Sequence, residues 1–252
     1  MSALGRFDGR KLATSGLFMV GLGMAVLGVA VFAQALFTGD QATWDDDAWT
    51  VSAGFLLWAI FTMLAVNRAA LRDQREHTGE QHETLPVGTE TRAVGMVVAT
   101  LWPSAITVVF LGIVVAGAAT RIAVPGMAII HVVHTGALVM MLGALGVVLA
   151  VWVRSTFVGP VVAFAFYLVH PGEAAASWHA IWPLASPSTP WLAGWHMVYL
   201  LALAAVFTIV AAARPGVRRR HTVAILIASA TAISALTLVI NGACPSIGPC
   251  QL

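Results

Sequence analysis

Two histidines three residues apart, in "IIHVVHTG", form the chain's clearest ligand-like pair, because His131 and His134 fall on one side of a helix. Imidazole is the commonest side-chain ligand for transition metals, and gripping a haem iron from both faces takes two imidazoles from facing helices. His196, in "AGWHMV", is the residue that would stand opposite them. The plainer reading of the same residues is hydrogen bonding near a membrane interface, among the aromatic belt of Trp178, Trp182, Trp191 and Trp195. Neither a carboxylate-plus-histidine metal spacing nor a CxxCH run accompanies the histidines. On sequence both readings stay open.

The two cysteines, Cys244 and Cys250, lie in "GACPSIGPC". On an oxidising outer face they would close a short disulfide loop, and otherwise they are two thiols beside the membrane. A third chemistry-bearing stretch is "RDQREHTGEQHETLPVGTETR", residues 72–92. It gathers Arg72, Asp73, Arg75, Glu76, Glu80, Glu83, Glu90 and Arg92 in a chain with only 13 basic and 11 acidic residues. A charge run is most often a solvated loop. This one joins two long apolar segments, so its position needs explaining.

Those segments set the fold class. Of 252 residues 59% are hydrophobic and 10% charged, more apolar surface than a soluble domain can bury. A helix crossing a hydrocarbon core of about 30 Å needs roughly 20 apolar residues. The pattern predicts an all-α polytopic membrane bundle with spans at Leu12–Phe37, Trp49–Leu71, Ala93–Ala119, Met127–Val153, Ser155–His170, Ala193–Ala213 and Thr222–Asn241. The fifth is short, and either continues into the Trp- and Pro-rich stretch 171–192 or dips back as a re-entrant hairpin, so the count is six or seven. The first apolar run is too long for a cleavable signal peptide.

With the N-terminus inside, the inner loops collect Arg6, Arg10, Lys11, Arg68, Arg72, Arg75, Arg92, Arg154, Arg214, Arg218, Arg219 and Arg220, and only Arg121 falls outside. This asymmetry predicts a cytoplasmic N-terminus, a cytoplasmic connector at 72–92 and, for seven spans, an outer tail at 242–252. The histidines His131, His134, His170, His179 and His196 then belong to the outer half. The basic residues line a membrane face, so the net charge of +2 is no sign of nucleic-acid binding.

No Asp, Glu, Lys or Arg occupies the middle of any predicted span. Ion-coupled transporters and proton pumps keep such groups there, and an intramembrane aspartyl-type protease needs buried acids, so both classes are disfavoured. No GxxxxGK[ST] loop is present, and any ATP-derived work must come from another polypeptide. Small residues recur at close spacing, at Gly21, Ala25 and Gly28 and at Gly136, Gly143, Ala144 and Gly146, as helix packing in lipid requires. Trp58, Asn67, Trp102 and Met140 are equally candidates for packing and for lining a pathway.

The second span runs without a break through "AVNRAALRDQRE", so its helix projects past the bilayer. Gly79 can then turn the chain, Pro86 stops a helix at Leu85, and Thr89 with Arg92 marks a fresh helix start. At these residues the sequence resembles the permease subunits of type-2 ATP-binding cassette transporters, in actinobacterial form. The matching positions are Arg72, Arg75, Glu76, Thr78, Gly79, Glu83, Leu85, Pro86, Val87 and Arg92. The N-terminal "GRFDGRKLATSGLF" resembles the family's amphipathic interfacial helix, over residues 1–14. The likeness extends loosely over residues 1–213. Gln81 and His82 depart from it, standing where the family usually places apolar residues.

The resemblance implies a permease dimer in a bacterial inner membrane, each subunit docked on a separate ATPase that binds ATP and Mg. Residues 72–92 would be the coupling segment, with Arg72, Arg75, Glu76, Gly79, Glu80 and Glu83 as contacts and Leu85 and Pro86 as an apolar seat. The chain itself would bind no cofactor and catalyse nothing. Its apolar spans suit an amphiphilic cargo such as a lipid, a drug or a hydrophobic peptide. The alternative function is a haem- or metal-binding membrane protein using His131 or His134 with His196.

Overall fold

The structure is a computed structural model that describes residues 12, 14–38, 44–75, 89–124, 126–168, 189–213 and 219–243. These form eight helices and, among the described residues, no strand. In chain order they are α1 (Gly16–Thr38), α2 (Trp44–Arg75), α3 (Thr89–Ala99), α4 (Leu101–Ala118), α5 (Met127–Val153), α6 (Val158–Leu168), α7 (Pro190–Ala212) and α8 (Arg219–Ala243). Six stretches are long and apolar enough to cross a membrane: α1, most of α2, α3 and α4 taken together, α5, α7 and α8. The chain is a multi-pass all-α bundle.

Two boundaries differ informatively from the sequence reading. The single predicted span Ala93–Ala119 is divided at Thr100. Pro103, one turn on, has no N–H to offer the carbonyl at residue 99. The chain tightens there, with the Thr100 N–H donating to Val97 O at 2.9 Å, three residues back. The predicted fifth span, Ser155–His170, contains α6, whose 11 residues rise only about 16 Å at roughly 1.5 Å per residue. That is half a hydrocarbon core. By contrast α2, with 32 residues, rises about 48 Å, longer than one span needs; its apolar stretch is Ala53–Arg72, so most of the excess precedes it, at residues 44–52, and residues 73–75 follow it.

Helix directions follow from a few cross-links. His134 of α5 meets His196 of α7, and the Trp152 Nε1–H, 18 residues further along α5, donates to Val210 O of α7 at 3.0 Å. The two helices therefore run parallel, and residues 154 and 189 lie at opposite ends of the bundle. At one end Arg68 and Arg72 stand beside Gly16 and Met96, Ala150 packs with Ala70, Leu71 and Met96, and Arg220 pairs with Glu90. Arg154 caps α5 at the same end, in a left-handed conformation with φ 53°. At the other end Arg121 lies 4.9 Å over the ring of Phe37. Of the Arg residues with described side chains, all but Arg121 thus share one end, called here the basic end. Gly16 lies at the basic end and Ala243 at the other.

The core is built around α2 and α5, the two most buried helices, while α1 and α8 cover its flanks and leave most of their apolar surface outward. Lipid offers no hydrophobic drive for helices to associate, so close approach and interhelical hydrogen bonds must hold them. Ala25, Gly136, Gly143, Ala144 and Gly146 are all buried at such seams. A Cβ on Gly146 would stand 2.5 Å from Met63 O of α2, and one on Gly54 would stand 2.9 Å from Met24 O of α1. The Asn67 amide donates to Gly146 O at 3.2 Å, and the Ser104 hydroxyl donates to Gly136 O at 2.8 Å. Asn67 and Trp58 are thus packing residues, both buried, whereas Trp102 is exposed. Trp58 lies against Phe18 with ring centroids 4.8 Å apart, and its indole N–H has no hydrogen-bond partner among the described residues.

Substituting Gly146→Val forces α2 and α5 apart and is expected to cost about 1–3 kcal/mol of stability, the usual scale of overpacking. Gly112→Ala, where an added Cβ meets nothing within 4 Å, should leave the thermal midpoint in detergent nearly unchanged. Equal effects of the two substitutions would contradict this packing.

Candidate coupling face and buried histidine pair

The basic end positions the connector. Helix α2 carries the chain out to Arg75, and α3 brings it back from Thr89, the helix start that Thr89 and Arg92 announce in sequence. Arg72 is exposed on the last turns of α2, and Arg75 is that helix's final residue. Glu76, Gly79, Glu80, Glu83, Leu85 and Pro86 lie outside the described residues, as do Cys244 and Cys250, and residues 1–11 of the N-terminal segment. What the structure adds is where the connector's two roots stand: both at the basic end, one of them tied to the last helix.

That tie was not read from sequence. Glu90, on the first turn of α3, accepts two hydrogen bonds at 2.6 Å from the Arg220 guanidinium of α8, one to each carboxylate oxygen. The ring of His221, itself buried, approaches the same carboxylate at 3.4 Å. Arg220 is more than half exposed, so water screens the pair and its stabilising worth is at most about 1 kcal/mol. Its value is geometric. The contact, made by one guanidinium nitrogen to both carboxylate oxygens, holds the start of α3 against the start of α8. Sequence carried only a faint signal of it, since "TETR" and "RRRH" are opposite in charge but 130 residues apart.

At the other end the structure brings two of the three singled-out histidines into contact. His134 Nε2 and His196 Nδ1 are 2.7 Å apart, with ring centroids separated by 5.0 Å and the planes nearly stacked. One ring nitrogen donates and the other accepts, so the two imidazoles need complementary tautomers. Both side chains are buried. Tyr199, one turn along α7, lies 5.5 Å from His196, and His131 sits edge-on to His134 at 6.5 Å.

This arrangement does not fit a metal held between the two rings. A metal bound by imidazole nitrogens at about 2.0–2.1 Å each keeps those nitrogens more than about 3 Å apart in tetrahedral or linear geometry. A haem iron gripped from both faces separates them further still. No group of three or more His, Cys, Asp or Glu side chains with metal-holding geometry occurs among the described residues. As placed, the pair is a buried hydrogen bond that locks α5 to α7, the plainer reading of these residues. Trp191 and Trp195, edge to face at 5.5 Å, stand on the same turns of α7.

The chain matches no family model, no curated protein and no solved structure.

If the histidines are a hydrogen-bonded pair, removing one strands the other in an apolar surrounding. His134→Ala and His196→Ala are each expected to cost about 1–3 kcal/mol, and the double variant distinctly less than their sum. Thermal unfolding in detergent measures this cycle. Strict additivity would show that the two rings do not interact.

Proposed function

We propose that this chain is the transmembrane permease subunit of an ATP-binding cassette exporter, which moves an amphiphilic substrate with energy from a separate ATPase subunit. The observation that carries the reading is the setting of the charged connector. It leaves from α2 within three residues of the end of that helix's apolar span, and it returns by a helix paired to α8 through Glu90 and Arg220. A soluble partner pressing on the connector would act at once on α2, on α3 and, through the clamp, on α8. These helices meet the two sides of the core, so a displacement at one end of the bundle reaches the seams along its length.

In this reading the basic end is cytoplasmic, the N-terminus is inside and the C-terminal tail with Cys244 and Cys250 is outside. Arg72, at the root, and Arg75, Glu76, Glu80 and Glu83 beyond it offer charges of both signs, suited to a specific polar docking surface. Gly79 turns the segment, and Leu85 and Pro86 form its apolar seat. ATP and Mg act on the partner, and this chain supplies the pathway but no catalytic group. A second permease subunit completes the pathway. Exposed apolar side chains on α1, such as Val20, Leu27 and Val31, and on α8, such as Leu226, Ile227 and Ile233, provide faces for lipid or for that subunit. The uncharged spans suit a cargo that is itself apolar over most of its surface.

Reversing Arg75→Glu and Glu76→Arg together, in the chain co-expressed with its ATPase, is expected to abolish co-purification. It should also lower transport-coupled ATP hydrolysis by roughly tenfold or more, the scale of breaking a desolvated charge contact. Undiminished complex and transport would contradict the proposal.

A further inference from the structure

A groove opens at the basic end between the chain entering α1, the last turns of α2 and the end of α3, with a volume of about 410 Å³. Its lining is mostly apolar and includes Leu12, Leu17, Val66 and Met96. Its rim carries two guanidinium groups, Arg68 and Arg72, four residues apart and so on the same face of α2. Both are exposed. Among the described residues no carboxylate lies within ion-pair distance of Arg68.

Height within the bundle is the second observation. Gly16 and Arg72, both lining the groove, are the terminal residues of two apolar spans. The groove therefore sits where hydrocarbon gives way to headgroups, with Leu17 and Val66 inside the two spans, Arg68 one turn from the end of its span and Arg72 at that end. A small soluble anion would use the charges and leave the apolar walls wet. A soluble acidic peptide would have to enter below the headgroup level. A ligand with a phosphate at one end and methylene groups at the other satisfies both parts, and the leaflet itself supplies it.

We propose that this groove is a binding site for an anionic phospholipid of the leaflet at the basic end. The phosphate accepts hydrogen bonds from Arg68 and Arg72, and the first part of an acyl chain lies between Leu12, Leu17 and Met96. Guanidinium groups bind phosphate oxygens through paired, charge-assisted hydrogen bonds that also fix orientation. The volume falls within the range of small-ligand pockets. The lipid would bridge α1, α2 and α3, and so sit against the root of the connector. This site stands independently of the transport reading, since it needs neither an ATPase nor a cargo.

The test is native mass spectrometry of the purified full chain in a neutral detergent, titrated separately with phosphatidylglycerol, phosphatidylcholine and inorganic phosphate. Phosphatidylglycerol is expected to bind about tenfold more tightly than phosphatidylcholine, whose phosphate offers the same oxygens but whose quaternary ammonium is repelled by the two guanidiniums. That preference should vanish in Arg68→Gln/Arg72→Gln and persist in Arg154→Gln, which removes an exposed arginine of the same end. Ala69→Trp, which keeps both guanidiniums but fills the groove, should also abolish it. A preference that survives either the double substitution or the filled groove overturns the proposal. So does inorganic phosphate competing as strongly as the lipid, which would mark a soluble-anion site instead.

Discussion

The seam between α2 and α5 is the contact on which the rest of the bundle depends. In lipid, apolar side chains gain nothing by leaving their solvent for each other, so two helices stay together only through close surfaces and satisfied polar groups. Gly146 supplies both at one point. Its bare Cα admits the Met63 carbonyl of α2, and its own carbonyl accepts the Asn67 amide. Around this point α5 takes on its other neighbours: α4 through Ser104 and Gly136, and α7 through the histidine pair and Trp152. Every long helix except α1 and α8 touches α5 at a small residue or a hydrogen bond, and those two lean on α2 and α7 in turn.

Much of this was legible in sequence, and for a physical reason. A bilayer forces spans to be long and apolar, and long apolar runs are the strongest pattern a chain can carry. The ends of α5 were read to the residue, and so was the unbroken helical run of α2 as far as Arg75. The small residues of α5 announced its packing. Less legible was the break at Thr100, where a proline that a membrane helix often tolerates instead shifted the hydrogen-bond ladder. Interhelical partners were the least legible. Asn67, Glu90 and Trp152 each meet a residue from 58 to 131 positions away, and nothing local in the chain encodes such a pairing.

The histidines show the limit from the other side. Sequence placed His131, His134 and His196 in one half of the bundle and left ligation and hydrogen bonding both open. In the structure the His134 and His196 ring nitrogens, 2.7 Å apart, are at hydrogen-bonding distance, too close to flank a metal between them. The connector is the reverse case. Its residues were conspicuous in composition, and the structure contributes their setting: roots at the basic end, next to an amphiphile-shaped groove and a clamp to the last helix.

The account turns on that end facing the cytoplasm. The direct measurement is the sidedness of a single thiol at Glu80→Cys, with Cys244→Ser and Cys250→Ser removing the native thiols, probed by a membrane-impermeant maleimide. The account predicts labelling in inside-out vesicles and protection in intact cells. Labelling from outside intact cells would turn the connector away from any ATP-hydrolysing partner and contradict it.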